Sequence, residues 1–62
     1  MNEHERLLTV RETADRLAVG VSTVRRKIRE GTLPAIRLGP GGAAVRIDPS
    51  ELQELLEKGR MT

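Results

Sequence analysis

The 62-residue chain has no cysteine and no phenylalanine, tyrosine or tryptophan. Without cysteine there is neither a disulfide framework nor a thiolate metal site, and a small domain without covalent staples suits a reducing cytoplasm. Without aromatic rings there is no platform on which unpaired bases can stack, the usual means of holding single-stranded nucleic acid, whereas duplex DNA stays open as a partner. Long apolar runs are missing too. Nothing approaches the roughly 18 residues of a membrane helix, and the polar start MNEHER has no signal-peptide core. A soluble cytoplasmic protein with no membrane partner is expected.

Groups that carry chemistry are equally sparse. His4 is the single histidine and stands in a polar terminus. The glycine-rich run GPGG is followed by no Lys-Ser or Lys-Thr, which makes it a turn and not a phosphate-binding loop. No spaced carboxylate cluster or metal-ligand set appears. The chain is therefore expected to be no enzyme and to use no cofactor, no metal and no small-molecule substrate.

What is abundant is positive charge in one place. Residues 21–46 carry five Arg and one Lys against one Glu, a net of +5 between flanks of −1 and −2. Arg25, Arg26, Lys27 and Arg29 fall within five positions. Like charges three and four apart on a helix repel by roughly 0.2–0.5 kcal/mol per pair, so folding alone would spread them out. A basic block between weakly acidic flanks is aimed at a polyanion.

The local signals sort these residues. Thr9 with Glu12 three residues on forms a capping box, and Val10, Ala14 and Leu17 follow as the inward stripe of a helix ending near Ala18. LAVG is a tight corner between packed helices. A second helix begins after Gly20 and stops at Gly31, burying Val21, Val24 and Ile28. At about 100° per residue it turns Ser22, Arg25, Arg26 and Arg29 outward over an arc of about 100°, with Lys27 at the edge of the apolar face. Beyond Pro34, AIRL and AAVRI alternate around GPGG as a β-hairpin. In this reading Ile36, Leu38, Val45 and Ile47 make its apolar face, and Arg37 and Arg46 point together the other way. Asp48-Pro49-Ser50-Glu51 opens a third helix with an N-cap acid and proline at N1. Its inward stripe is Leu52, Leu55 and Leu56, and it ends at Gly59.

The fold class expected from this order is α+β, mostly α: a small winged helix-turn-helix of two short helices, a two-stranded hairpin wing and a C-terminal helix. Residues 7–59 form the domain, with flexible termini at 1–6 and 60–62. In such a fold the second helix enters the major groove of double-stranded DNA, about 12 Å wide, with the wing beside it. Arg25 and Arg26 suit guanine edges, and Ser22 and Thr23, at the helix N-terminus, suit a phosphate. Arg29 fits either role or a plain solvated charge. Arg37 and Arg46 suit the flanking backbone, or else pair across the strands or with acids of the third helix. The tip GPGGAA carries no cation. Glu51, Glu54 and Glu57 read as a solvated face or as a docking surface for a basic protein.

The run LLTVRETADRLAVGVSTVRRKIREGTLPAIRLG, followed by VRIDPSELQELLEKG, resembles the small excisionase and MerR-like winged helix-turn-helix domains. The anchors are Leu8, Thr9, Glu12, Ala14, Leu17, Val19, Thr23, Val24, Arg26, Gly31, Leu33, Pro34, Gly39, Arg46 and Leu52. The resemblance implies a DNA-contacting face at Ser22, Thr23, Arg25 and Arg26, with Arg46 at the wing base. Gly20 stands where the family usually has Ser or Asp, Lys27 where an apolar or aromatic residue is common, and the wing tip lacks the usual basic residues.

Size selects among the jobs open to that family. A ten-residue helix is about 15 Å long and reads some four or five base pairs, so an address in a genome requires several copies or a DNA-bound partner. Other members of the fold continue into a dimerisation helix or an effector domain, whereas this chain stops at Thr62. The expectation is an excisionase, or recombination directionality factor, that binds adjacent attachment-site repeats head-to-tail with further copies of itself, bends the DNA and directs an integrase toward excision. The alternatives are a small MerR-like transcriptional regulator on tandem sites and, from another class, a protein-interaction module.

Overall fold

In the computed structural model, residues 6–42 and 44–59 are described. The chain runs through β1 (Leu8–Thr9), α1 (Val10–Leu17), α2 (Val21–Glu30), β2 (Ile36–Leu38), a 3₁₀ turn (Pro40–Gly42), β3 (Ala44–Ile47) and α3 (Pro49–Lys58). This is the expected α+β winged helix-turn-helix with one addition: the wing is the outer part of a three-stranded antiparallel sheet of order β1-β3-β2. Of the termini expected to be flexible, residues 1–5 and 60–62 lie outside the described residues, His4 among them.

Most of the helix ends fall where the sequence provides the chemistry. The Thr9 hydroxyl accepts from Glu12 N at 3.0 Å, and Thr9 N donates to Glu12 Oε1 at 2.9 Å, completing the capping box of α1. The Asp48 carboxylate caps α3 by accepting from Ser50 N at 2.8 Å, with Pro49 at the first helical position. Gly20 leaves α2 without a side-chain cap. Both α1 and α2 stop at a residue in the left-handed region: Gly31 at φ +82°, where glycine is at ease, and Ala18 at φ +60°, where it is not.

Val10, Ala14, Val24, Leu33, Ile47 and Leu52 form the buried core. They come from all three helices, the central strand and the loop after α2. Leu8, Leu17, Val21, Ile28, Ala35, Val45 and Leu55 pack around them half-buried. Thr13 is fully buried, and its hydroxyl donates to Thr9 O at 2.9 Å, so a polar group within the core is satisfied. Leu56, expected on the inner stripe of α3, is 42% exposed.

The hairpin register corrects the sequence reading. Ile36 pairs with Arg46, Arg37 with Val45, and Leu38 with Ala44. Residues directly opposite share a face, and faces alternate along each strand. Ile36, Leu38, Ala44 and Arg46 therefore lie on one side, and Arg37, Val45 and Ile47 on the other. Leu8, paired with Ile47, joins that second side. The burial agrees: Ile47 is fully buried, while Ile36 and Leu38 are exposed. The expected apolar face of Ile36, Leu38, Val45 and Ile47 does not exist, and Arg37 and Arg46 project from opposite faces. The cause is parity. Five residues separate the paired Leu38 and Ala44, so even positions meet even positions, whereas the alternation assumed even met odd.

Candidate nucleic-acid interface

The site is built on α2 and on the sheet that packs beside it. On an α-helix, residues four apart are offset by about 40° and adjacent ones by about 100°. Arg25 and Arg29 thus form one line next to the half-buried Ile28, while Arg26 stands well around the helix, away from the core. The two lines meet different surroundings. Arg25, Ile28 and Arg29 border a shallow depression of about 190 Å³ with Val10, Arg37 and Val45. Val10, Ile28 and Val45 supply its apolar lining and three arginines the rest. Arg37 reaches this site because the register puts it on the face of Val45, toward α2.

A second depression, of about 240 Å³, adjoins the first and has Arg25 in common with it. Thr9, Arg11, Arg25, Ala44 and Arg46 are on its border. Arg46 is half-buried, and its Nη1 donates to Val45 O at 2.8 Å, which directs the guanidinium along the strand. Among the described residues no carboxylate lines either depression.

Of the residues singled out in the sequence, Arg25, Arg29 and Arg37 border the first depression together, and Arg46 borders the second with Arg25. Arg26 borders neither depression. It lies 3.9 Å from Glu30 in an i,i+4 pair whose side chains are 56% and 54% exposed, a separation and exposure at which an ion pair contributes little. It is the one ion pair among the described residues. Ser22 is exposed in the first turn of α2, and Thr23 beside it is half-buried, with Thr23 N donating to Gly20 O at 3.1 Å. Lys27 is exposed.

Arg11 was missed by sequence reasoning. Between the two halves of the capping box it reads as one more helix residue, and only the turn of the chain from β1 into α1 carries it to the side of Arg25 and Arg46. The available signal was a cation in the first turn of a helix, where the dipole favours acids. Its neighbour Glu12 obeys that preference. The hydrogen bond from Thr9 N holds the Glu12 carboxyl below its ordinary value against the opposing effect of desolvation, helped by the Thr9 hydroxyl and by the charges of Arg6 and Arg16.

Among the described residues no group of acids and histidines is placed to hold a metal ion. No described helix is long and apolar enough to cross a membrane. Glu51, Glu54 and Glu57 are all exposed on α3, where Gln53 Nε2 donates to Glu57 Oε2 at 3.3 Å. Charge is thus divided in space as in sequence, with arginines at the junction of α2 and the sheet and acids on α3.

Two short helices joined by a tight corner, arginines along the second, and a basic sheet beside them define a helix-turn-helix DNA-binding protein. The chain belongs to that family, since the family model described as a helix-turn-helix domain matches residues 7–60. More particularly, it is similar to the excisionase of Mycobacterium phage D29, with 40% identity over 48 residues that cover 77% of this chain and 82% of the phage protein. No solved structure matches the chain.

Proposed function

We propose that this protein is an excisionase-type recombination directionality factor that binds adjacent repeats in an attachment site, bends the DNA and directs an integrase toward excision. Residues 7–59 act as its DNA-binding unit in the cytoplasm. The observation that carries the DNA-binding part is the arginine-lined junction of α2 with the sheet, where Arg25, Arg29 and Arg37 border one depression and no acid of the described residues does. The likeness to a phage excisionase supports the particular role.

In this reading α2 lies in the major groove. Arg26, on the outermost line of the helix, reaches base edges, where a bidentate arginine–guanine contact distinguishes the base pair. Ser22 and Thr23 sit at a helix N-terminus that lacks a side-chain cap, where the dipole and the side-chain hydroxyls suit a phosphate. Arg29 and Arg37 hold the backbone on one side of the helix and Arg46 on the other. Such contacts fix register on the duplex and carry no sequence information themselves.

A single ten-residue helix reads too few base pairs to find one address, so specificity comes from copies bound head-to-tail and from the integrase they recruit. The protein performs no chemistry in this role; it changes the path of the DNA and thereby the partner's choice of reaction. The acidic outer face of α3 suits a basic surface on that partner.

The test is selection from a random duplex pool at two protein concentrations, followed by sequencing of the enriched sites. Direct repeats about one helical turn apart, filled cooperatively, are expected. Inverted repeats would replace the array with a symmetric dimer and a regulator-like role. No retention at low salt would overturn DNA binding altogether and leave the protein-interaction reading.

A further inference from the structure

Arg11 occupies the second position of α1, where unpaired backbone N–H groups and the helix dipole disfavour a positive charge. Among the described residues no carboxylate stands within ion-pair distance of it. Glu12 is folded back on Thr9 N, the cations acting on its carboxyl are Arg6 and Arg16, and no ion pair among the described residues reaches Arg11. Instead Arg11 borders the depression of about 240 Å³ that Arg25 and Arg46 also border. Three arginines, from α1, α2 and β3, thus line one space, and no carboxylate among the described residues lines it with them. Arg46 spends one N–H on Val45 O and has others to offer. Planar guanidinium forks match the paired oxygens of a phosphodiester, and a concave site rimmed by three of them focuses a field on a single anion.

We infer that Arg11, Arg25 and Arg46 form a seat for one backbone phosphate of duplex DNA, and that Arg11 is a phosphate-contacting residue outside the recognition helix. The inference rests on the DNA-binding reading above and divides its labour differently. Arg25, common to this depression and to the one rimmed by Arg29 and Arg37, lies between two backbone sites and contacts phosphate, leaving base edges to Arg26.

The experiment is a salt titration of binding by the full chain and by Arg11→Gln, on the best selected duplex and on an unrelated duplex, with thermal unfolding of both proteins. Arg11→Gln removes a charge that the fold does not want, so its Tm should be no lower than the parent's. Binding should weaken about tenfold on both duplexes, the salt slope should shrink by about 1, and the selected sequence should stay the same. Arg11→Lys should restore the slope. Unchanged affinity and slope would overturn the seat, and so would a loss confined to the selected duplex, which would make Arg11 a base reader. A lower Tm with weak binding in both variants would make Arg11 structural and also overturn it. If the parent itself binds neither duplex, the DNA-binding reading has failed, a result distinct from all of these.

Discussion

Ala18 and Gly31 occupy equivalent places, one after each helix of the pair, and both are left-handed, at φ +60° and +82°. An L-residue in this region costs about 1–2 kcal/mol, and glycine avoids that cost while losing about 0.5–1 kcal/mol more conformational entropy on folding. Ala18 is exposed, so its methyl group contributes little packing to set against the strain. Ala18→Gly should therefore stabilise the protein by about 0.5–1 kcal/mol. Gly31→Ala is the mirror experiment. Nothing lies within 4 Å of the Cβ it would add, so its loss, again about 0.5–1 kcal/mol, comes from the backbone alone. Urea unfolding followed by circular dichroism reads both. With a slope of about 1 kcal/mol/M for so small a chain, the midpoints should move about 0.5–1 M in opposite directions, and Tm by several degrees. A midpoint for Ala18→Gly at or below the parent's would mean that the corner does not store the strain its backbone angles imply.

Other consequences follow from burial, capping and charge. Ile47→Ala should cost about 2–4 kcal/mol and leave little folded protein, whereas Leu38→Ala, on the outer face of the sheet, should cost under about 1 kcal/mol; equal losses by urea melt would contradict the register. Because the folded pKa of Glu12 is lowered, the stability it contributes is present above its ordinary value of 4.5 and is lost as pH falls through the folded value. The Tm of Glu12→Gln should accordingly fall less steeply than the parent's across that acid window, and parallel profiles would remove Glu12 as the cause. Arg26→Ala should lose about 1–3 kcal/mol of discrimination at one base pair of the selected site and little affinity elsewhere; a uniform loss over all sequences would place Arg26 on phosphate instead.

The helices were legible in the sequence because their ends are written in short-range chemistry. The Thr9–Glu12 box, Asp48-Pro49 and Gly31 act within four residues, and the boundaries of α1, α2 and α3 follow from them. The sheet was less legible for two reasons. A strand of two residues, Leu8–Thr9, has no period to detect and forms only because β3 offers it a partner. Hairpin register depends on the number of residues in the turn, so one unrecognised residue among glycines moved Arg37 to the face opposite Arg46. Leu33 reached the core from a loop without periodicity, held by Leu33 N donating to Lys27 O at 3.3 Å. The candidate site divides the same way. Arg25, Arg26 and Arg29 could be grouped by helix angle, but the meeting of Arg11 with Arg25 and Arg46 depends on tertiary packing that no local spacing encodes.

If the arginines of this junction answer the phosphates of a duplex, binding must depend steeply on salt. Fluorescence anisotropy of a labelled duplex should be followed between about 50 and 200 mM monovalent salt. If four or five phosphates are neutralised per protein, log K should fall with log salt at a slope near −4, which is an affinity loss of about 250-fold over that range. A slope near zero, with or without binding, would contradict the claim and turn the basic helix toward a protein partner.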